Sequence, residues 1–435
     1  MTLLALAASM AMASSAMAQE PPVPEPPSER VLAGGRNPVV SYLMQAYGLS
    51  EAVAEERLAV QSEVMELAQR LERENDPAYA DIWIEHEPVY KINIAFLDKN
   101  ERQAFRESLS PRLRRYVQIV PVNKSRKQKR QDLEELSAAL RSANIAFDGW
   151  FEEKKQRFDL GVGSASDLAR AEPLVPPRLR GTVDLVVRKL PAREAPPTGV
   201  VSGDFIAGGH AVWISDNPAH PNPTQCTFGF PVRYGASRLK GVLTAAHCTV
   251  PAPQIFAHRF GNPVHFIKFD WARPIIRKLE GPYDYMVLEG SSALGDDGLY
   301  DVYFENPNNQ VPGVTGNYFD IYAYAAKASM KVGDAVCKSG DTTKLTCGTI
   351  KAIDGTAFGY PGFFVVSNTS QPDLTAPGDS GGPWFFNPGT GSKAIAIGMH
   401  SGGTEGCVGR DCNAYAMFIE LIDDHDATIK LPSTP

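Results

Sequence analysis

The sequence predicts two unlike halves, an α+β N-terminal region followed by an all-β C-terminal domain. Three observations carry this. Residues 38–75 place apolar side chains at helical spacing within a run dense in Glu and Arg. Beyond about residue 205 the chain turns to short apolar runs separated by Gly, Pro, Asn and Asp clusters, the pattern of strands joined by turns. All six cysteines, Cys226, Cys248, Cys337, Cys347, Cys407 and Cys412, fall in the second half. A chain of 435 residues has room for two or three domains. Its formal charge of -7, from 43 basic and 50 acidic residues, argues against a nucleic-acid partner, which needs a basic footprint.

In chain order, residues 1–18 are apolar or small and end in Ala16-Met17-Ala18 before Gln19, so they read as a secretory signal peptide without the usual basic start. The alternative is a membrane anchor, but the run is short and rich in Ala and Ser, so no stable anchor is expected. Residues 19–37 form a Pro-rich linker. Residues 38–189 open with two amphipathic helices, through Val39, Leu43 and Tyr47 and then Ala52, Leu58, Val64 and Leu71. A hairpin follows from Asp81 to Leu97, then a strand at Tyr116–Val120, a helix over Asp132–Asn144, a second hairpin over Ile145–Leu160 and a last strand over Thr182–Arg188. The basic run Lys124–Arg130 reads as a solvated loop. Glu85, His86 and Glu87 are not expected to hold a metal, because strand alternation sends Glu85 and His86 to opposite faces. A Pro- and Ala-rich linker, 190–204, leads to the last domain, 205–435.

That domain holds Pro377-Gly378-Asp379-Ser380-Gly381-Gly382-Pro383, a serine set between glycines on a tight turn. A serine hydroxyl is a weak nucleophile alone and needs a base, a carboxylate to orient the base, and donors for the oxyanion. His247 stands in Leu243-Thr244-Ala245-Ala246-His247-Cys248, and Asp284 opens the strand-like Tyr285–Leu288, with Asp270, Asp296 and Asp297 as rivals. Gly378-x-Ser380-x-Gly382 also fits a nucleophile elbow, which would draw its histidine from His400 or His425 and needs alternating strands and helices. The even cysteine count behind a leader implies disulfides in an oxidising compartment, with connectivity left open by spacing. No C-x-x-C pair is present to suggest zinc, and no cofactor is expected.

Thr244-Ala245-Ala246-His247-Cys248 together with Gly378–Pro383, in the order His, Asp, Ser, resembles the chymotrypsin family of serine peptidases. Cys226-x-x-Gly229-Phe230-x-Val232-Arg233, Asp284-Tyr285, and Val336–Gly340 leading through Thr342-Thr343 to Thr346-Cys347-Gly348 are similar to the streptogrisin and α-lytic-type bacterial members over about 205 to 422. The resemblance implies a double β-barrel and a serine endopeptidase in which Ser380 attacks, His247 moves the proton, Asp284 orients His247, and the amides of Gly378 and Ser380 form the oxyanion hole. It also implies disulfides Cys226–Cys248, Cys337–Cys347 and Cys407–Cys412. Met399-His400-Ser401-Gly402-Gly403 would wall the primary pocket and pair with substrate backbone, and His400 points to a Glu or Asp preference, with small or apolar side chains next. Leu374 stands where a Lys/Arg-specific member carries aspartate, although Asp373 is adjacent. Phe205–Gly209 resembles the start of mature chains, whose amine pairs with the residue at Asp379, while compact bacterial members use an arginine there, for which Arg233 is a candidate. Trp83–Glu87 and Phe147–Phe151 resemble the propeptide of streptogrisin-like enzymes, which implies that residues up to about 199 chaperone and inhibit the catalytic domain. A permanent interaction domain is the other reading. The sequence therefore describes a secreted endopeptidase made as a zymogen, its partners being protein or peptide substrates and its own propeptide. A catalytically silent homologue that binds proteins in the same groove is the alternative.

Overall fold

The computed structural model describes residues 32–98, 102–193, 207–215, 224–248, 255–260, 265–268, 276–289, 301–368, 373–389, 391–404 and 412–431. The leader at residues 1–18, most of the two linkers, Phe205, Cys407, Asp270, Asp296 and Asp297 lie outside them.

The N-terminal half begins with helix α1 (Pro38–Tyr47), where Asn37 accepts a hydrogen bond from the Val39 amide and Pro38 supplies a preset first turn. Helix α2 (Glu51–Glu74) buries Ala54, Leu58, Val64, Ala68 and Leu71 on one stripe and ends at Asn75 in a left-handed conformation. Strands β1 (Tyr79–Glu85) and β2 (Lys91–Phe96) form the expected hairpin, and β3 (Val117–Pro121) adds to β2 in parallel. Helix α3 (Arg126–Ser142) corrects the reading of Lys124–Arg130 as a loop. Ser125 and Gln128 close a capping box, and the Lys129 ammonium turns inward to Glu153 at 2.6 Å and Asp81 at 3.3 Å. Those buried carboxylates make the basic stretch a first helical turn. Strands β4 (Phe147–Glu152) and β5 (Arg157–Val162) form the second hairpin, and β6 (Val183–Val187) pairs with β5 in parallel.

The C-terminal half is built from strands. Its first part contains two four-stranded antiparallel sheets among the described residues. One holds β7 (Ala211–Ser215), β8 (Thr224–Thr227), β11 (Ile255–Phe260) and β12 (His265–Lys268); the other holds β9 (Pro231–Tyr234), β10 (Leu239–Thr244), β13 (Ile276–Glu280) and β14 (Tyr283–Glu289). Val212, Ile214, Phe228, Val242, Met286 and Leu288 form the core they share. In the second part, β15 (Ala335–Gly340), β16 (Lys344–Ala357), β17 (Tyr360–Ser367), β18 (Pro383–Phe386), β19 (Lys393–Gly403) and β20 (Asn413–Phe418) close on themselves in the order β15-β16-β17-β20-β19-β18, every pair antiparallel. Among the described residues the six strands thus close on one another, and only the ends of β16 and β19 are left to pair with strands outside the ring.

The halves share one packed body. Val39, Val40, Leu43 and Leu58 of the first two helices belong to the same apolar cluster as Trp384, Phe385, Ile397 and Met417 of the barrel. Hydrogen bonds fix the contact: Tyr42 and Tyr47 hydroxyls meet Thr349 Oγ1 at 2.8 and 3.0 Å, and the Gln61 amide both donates to and accepts from the Ala335 backbone. At a second junction Gly149 of β4 pairs with Thr356 of β16, so the N-terminal hairpin continues a barrel sheet.

Candidate active site

The site lies where the two parts of the C-terminal half meet. His247 sits on a single 3-10 turn, Ala246–Cys248, directly after β10. The Cys226–Cys248 disulfide ties that turn to β8, and the Thr244 hydroxyl donates to Thr227 O at 2.8 Å. Asp284 enters from the first residues of β14 and is fully buried. Ser380 belongs to the turn Gly378–Gly382, whose conformation only glycine adopts without strain: Gly378 has φ +102° and Gly381 φ +89°. A Cβ on Gly381 would also stand 2.3 Å from Thr227 O.

These three elements bring the expected residues into one line. His247 Nε2 is 2.9 Å from Ser380 Oγ, and His247 Nδ1 is 2.7 Å from Asp284 Oδ2. The other Asp284 oxygen accepts from the His247 amide at 3.0 Å, which fixes the carboxylate plane relative to the ring. Burial pushes the Asp284 carboxyl up, but the His247 ring and its hydrogen bonds outweigh this and hold it below the ordinary aspartate range. An ionised carboxylate is what keeps a neighbouring imidazole in the tautomer whose Nε2 faces the serine. The histidines of the elbow alternative point elsewhere: His425 meets the Tyr285 hydroxyl and His400 meets Thr375.

The Gly378 carbonyl accepts from Thr227 Oγ1 at 2.7 Å. No hydrogen bond reaches the amides of Gly378 or Ser380 among the described residues, so both stay available to an oxyanion. The residue between them, Asp379, is the best-anchored group of the turn. It accepts from the Lys338 ammonium at 2.7 Å, from the Thr342 and Thr343 amides at 3.0 Å each, and from Thr343 Oγ1 at 2.5 Å. Arg233, offered above as its partner, instead donates to Arg238 O on a hairpin. Lys338 takes that place because it projects from β15 directly beneath the turn, and both charges are fully buried. Burial raises the Asp379 carboxyl, yet Lys338 and the surrounding donors bring it below its usual value.

The expected pocket wall is the end of β19. The His400 amide donates to Gly382 O at 2.9 Å and its carbonyl accepts from the Gly381 amide at 2.8 Å, which locks this strand to the turn that carries Ser380. Its ring is fully buried, with Nε2 on Thr375 Oγ1 at 2.5 Å and Nδ1 without a partner among the described residues. Burial, reinforced by Lys338, lowers its pKa to about 3, so the ring is neutral at ordinary pH. The Ser401 hydroxyl is likewise buried and unpartnered among the described residues. Gly403 forms an antiparallel bridge with Ala192, and Leu374 is a buried apolar residue. The Cys337–Cys347 bridge is formed, and Cys412 is disulfide-bonded. Among the described residues no cluster of His, Cys, Asp and Glu could hold a metal ion. Lys338, Thr227 and Thr375 escaped sequence reasoning. For Lys338 a signal existed, since a lysine between Cys337 and Ser339 on an otherwise buried strand demands a carboxylate.

No family model matches the chain. Serine protease 2 of Streptomyces fradiae is 30% identical over 203 residues, which span 46% of this chain and 97% of that protein. The chain belongs to the streptogrisin-like serine peptidases. Streptogrisin-A of Streptomyces griseus is 26% identical to this peptidase over 68% of the chain and 83% of its own length, and glutamyl endopeptidase 2 of the same organism is 30% identical over 43% and 82%. Among solved structures, Thermobifida fusca Protease A aligns with 53% of the peptidase and 100% of its own chain at 21% identity and a TM-score of 0.34. The protein is a serine endopeptidase and acts on protein or peptide substrates.

Proposed function

We propose that this peptidase is secreted as a zymogen in which Ser380 is the nucleophile, His247 the general base and acid, and Asp284 the residue that orients His247. The observation that carries the reading is the unbroken relay Ser380 Oγ, His247 Nε2, His247 Nδ1, Asp284 Oδ2. Ser380 Oγ adds to the scissile carbonyl while its proton passes to His247 Nε2; the amides of Gly378 and Ser380 hold the oxyanion. His247 then delivers the proton to the leaving amine, and water releases the acyl group by the same route.

Residues 38–189 act in this reading as propeptide, templating the barrel and inhibiting it. Two features support inhibition: Ser380 is fully buried in the intact chain, and Ala192 occupies the backbone of Gly403 that a substrate would use. Templating suits a barrel whose pairings are non-local and therefore slow to form. The leader at residues 1–18 and the disulfides support export; no described helix is long and apolar enough to cross a membrane.

A preference for Glu before the scissile bond is the favoured specificity. Thr375 Oγ1 lies 2.5 Å from His400 Nε2, and in the tautomer where the threonine O–H donates, the hydrogen of the neutral ring is on Nδ1, a donor for a substrate carboxylate. The relative named glutamyl endopeptidase 2 supports it as well. The test is fluorophosphonate labelling of Ser380, combined with hydrolysis of matched peptides bearing Glu, Asp, Arg, Phe or Ala before the scissile bond, before and after limited proteolysis. Labelling and a Glu-dominated profile lost in His400→Ala are expected. No labelling and no turnover in either form would overturn the catalytic assignment.

A further inference from the structure

We infer that Phe358 is a second specificity-determining residue, whose ring takes a cationic side chain, arginine above all, from the substrate residue immediately before the one in the primary pocket; this rests on the catalytic reading above. The intact chain supplies an occupant. Ala192 N donates to Gly403 O at 3.1 Å, and Gly403 N donates to Ala192 O at 3.4 Å, an antiparallel pair on the strand that carries His400. From Gly403, β19 runs back through Ser401 to His400, whose amide and carbonyl are bonded to Gly382 and Gly381 on either side of the Ser380 turn. In an antiparallel pair each forward step on one strand is a backward step on the other, so Arg193 lies one step nearer Ser380 than Ala192 does. Its guanidinium stands over the Phe358 ring, 4.9 Å from the ring centre. A substrate strand in this register meets Gly402 where Arg193 does, and its next residue meets Ser401 beside His400.

The turn that carries Phe358 is not one that phenylalanine favours. Ala357 pairs with Tyr360, so Phe358 and Gly359 alone join β16 to β17, and their φ values are +53° and +85°. A two-residue hairpin loop with both residues in the left-handed region selects Asn-Gly, and a bulky side chain at its first position is an outlier. Backbone strain of this kind persists where the surroundings over-determine it, and it clusters at ligand clamps. Edge contacts hold the ring, with Phe363 at 5.5 Å and Tyr415 at 6.3 Å between centres. They leave it half-buried, and the Arg193 guanidinium covers a face they do not use.

The chemistry of the place suits a guanidinium. An aromatic face attracts a cation through its quadrupole, and the planar guanidinium also stacks on it. Arg193 Nε is buried with no hydrogen-bond partner among the described residues, which leaves the ring as the group on which the side chain is seated. Burial pushes the Asp284 carboxyl up, and His247 and then the Arg193 charge act to hold it down, so a cation in this position is attracted by the buried carboxylate of the site. Gly402 makes the approach possible. A Cβ there would come within 2.4 Å of Ala192 O and 2.9 Å of the Phe358 ring, so strand and ring could not both reach the wall.

The experiment measures hydrolysis of matched peptides that carry arginine, citrulline, lysine or alanine immediately before the best primary-pocket residue. Full-length wild type, Phe358→Asn and Phe358→Trp are compared after the same limited proteolysis. Citrulline keeps the size and planarity of arginine without its charge. In the wild type kcat/KM for arginine should exceed that for citrulline at least ~3-fold, the order that a partly exposed cation–π contact supplies. The difference should lie in KM with kcat little changed, as a contact made equally in ground and transition states requires. Phe358→Asn should abolish the ratio. Because asparagine suits the turn, the thermal midpoint of that variant should equal or exceed the wild-type value, which separates a lost preference from a lost fold. Phe358→Trp should keep the ratio. Equal kcat/KM for arginine and citrulline in the wild type overturns the inference, as does a ratio that survives in Phe358→Asn. Fluorophosphonate labelling of Ser380 tells the two readings apart: labelling without the preference removes this subsite alone, and no labelling removes the catalytic reading and the subsite together.

Discussion

Lys338 and Asp379 form an ion pair that is fully buried on both sides, at the turn that carries Ser380. Removing one member of such a pair strands the other, which costs about 3–5 kcal/mol, whereas replacing both can be nearly neutral. Lys338→Met is therefore expected to lower unfolding stability by that amount and to depress turnover, because Asp379 sits between the two amides proposed to hold the oxyanion. Lys338→Met with Asp379→Asn should recover stability in part. Denaturant unfolding of the two variants, beside peptide hydrolysis, checks this, and an unchanged midpoint in Lys338→Met would contradict it. At this scale the motifs around Ser380, His247 and Asp284 were legible in the sequence, and their hydrogen-bonded line is what the proposed catalytic roles rest on. Lys338 was not legible as the partner, because two strands far apart in sequence bring it to Asp379.

Among elements, β4 is the one whose placement matters most for the union of the halves. Trp150 is buried against Ala352, Phe363, Val365 and Tyr415 of the barrel, with the Arg188 guanidinium 4.4 Å and the Lys351 ammonium 4.3 Å from its ring centre. The same hairpin is pinned by the Tyr415 hydroxyl, which donates to Asp148 at 2.6 Å. Trp150→Ala is expected to cost about 3–5 kcal/mol, the usual range for emptying a large aromatic site. In a Ser380→Ala background, which prevents self-digestion, the variant should show faster cutting of the N-terminal half by an added protease; equal rates would count against the junction. Strand and helix types were readable here from periodicity and capping residues. The first turn of α3 was misread because charge alone does not reveal that Asp81 and Glu153 wait inside.

For the molecule as a whole, buried carboxylates of two kinds set the response to pH. Asp284 and Asp379 have lowered pKa values, so the stability they contribute is present above about pH 4 and is lost as pH falls through their folded values. Asp334 and Asp341 are each raised to about 7 by burial, so their contribution is full below about pH 4 and is lost as pH rises toward 7. Asp334 Oδ2 accepts from the Lys331 amide at 2.7 Å, while Oδ1 has no partner among the described residues. Asp334→Asn keeps the acceptor and cannot ionise. It should raise the midpoint of thermal unfolding at pH 8 and leave it unchanged at pH 4, and a gain of equal size at both values would refute the account.

The amino-acid sequence by itself determined the order of an α+β half and an all-β half, the motifs that hold Ser380 and His247, and the expectation that His400 lines the pocket. Those features are local: periodicity, turn glycines and residues next to one another in the chain. Only the tertiary structure decided that Lys338 balances Asp379, that Thr375 takes one nitrogen of His400, and that Ala192 pairs with Gly403. Each joins segments far apart in sequence, where partners are chosen by strand register and by the cost of leaving buried polar groups unmatched.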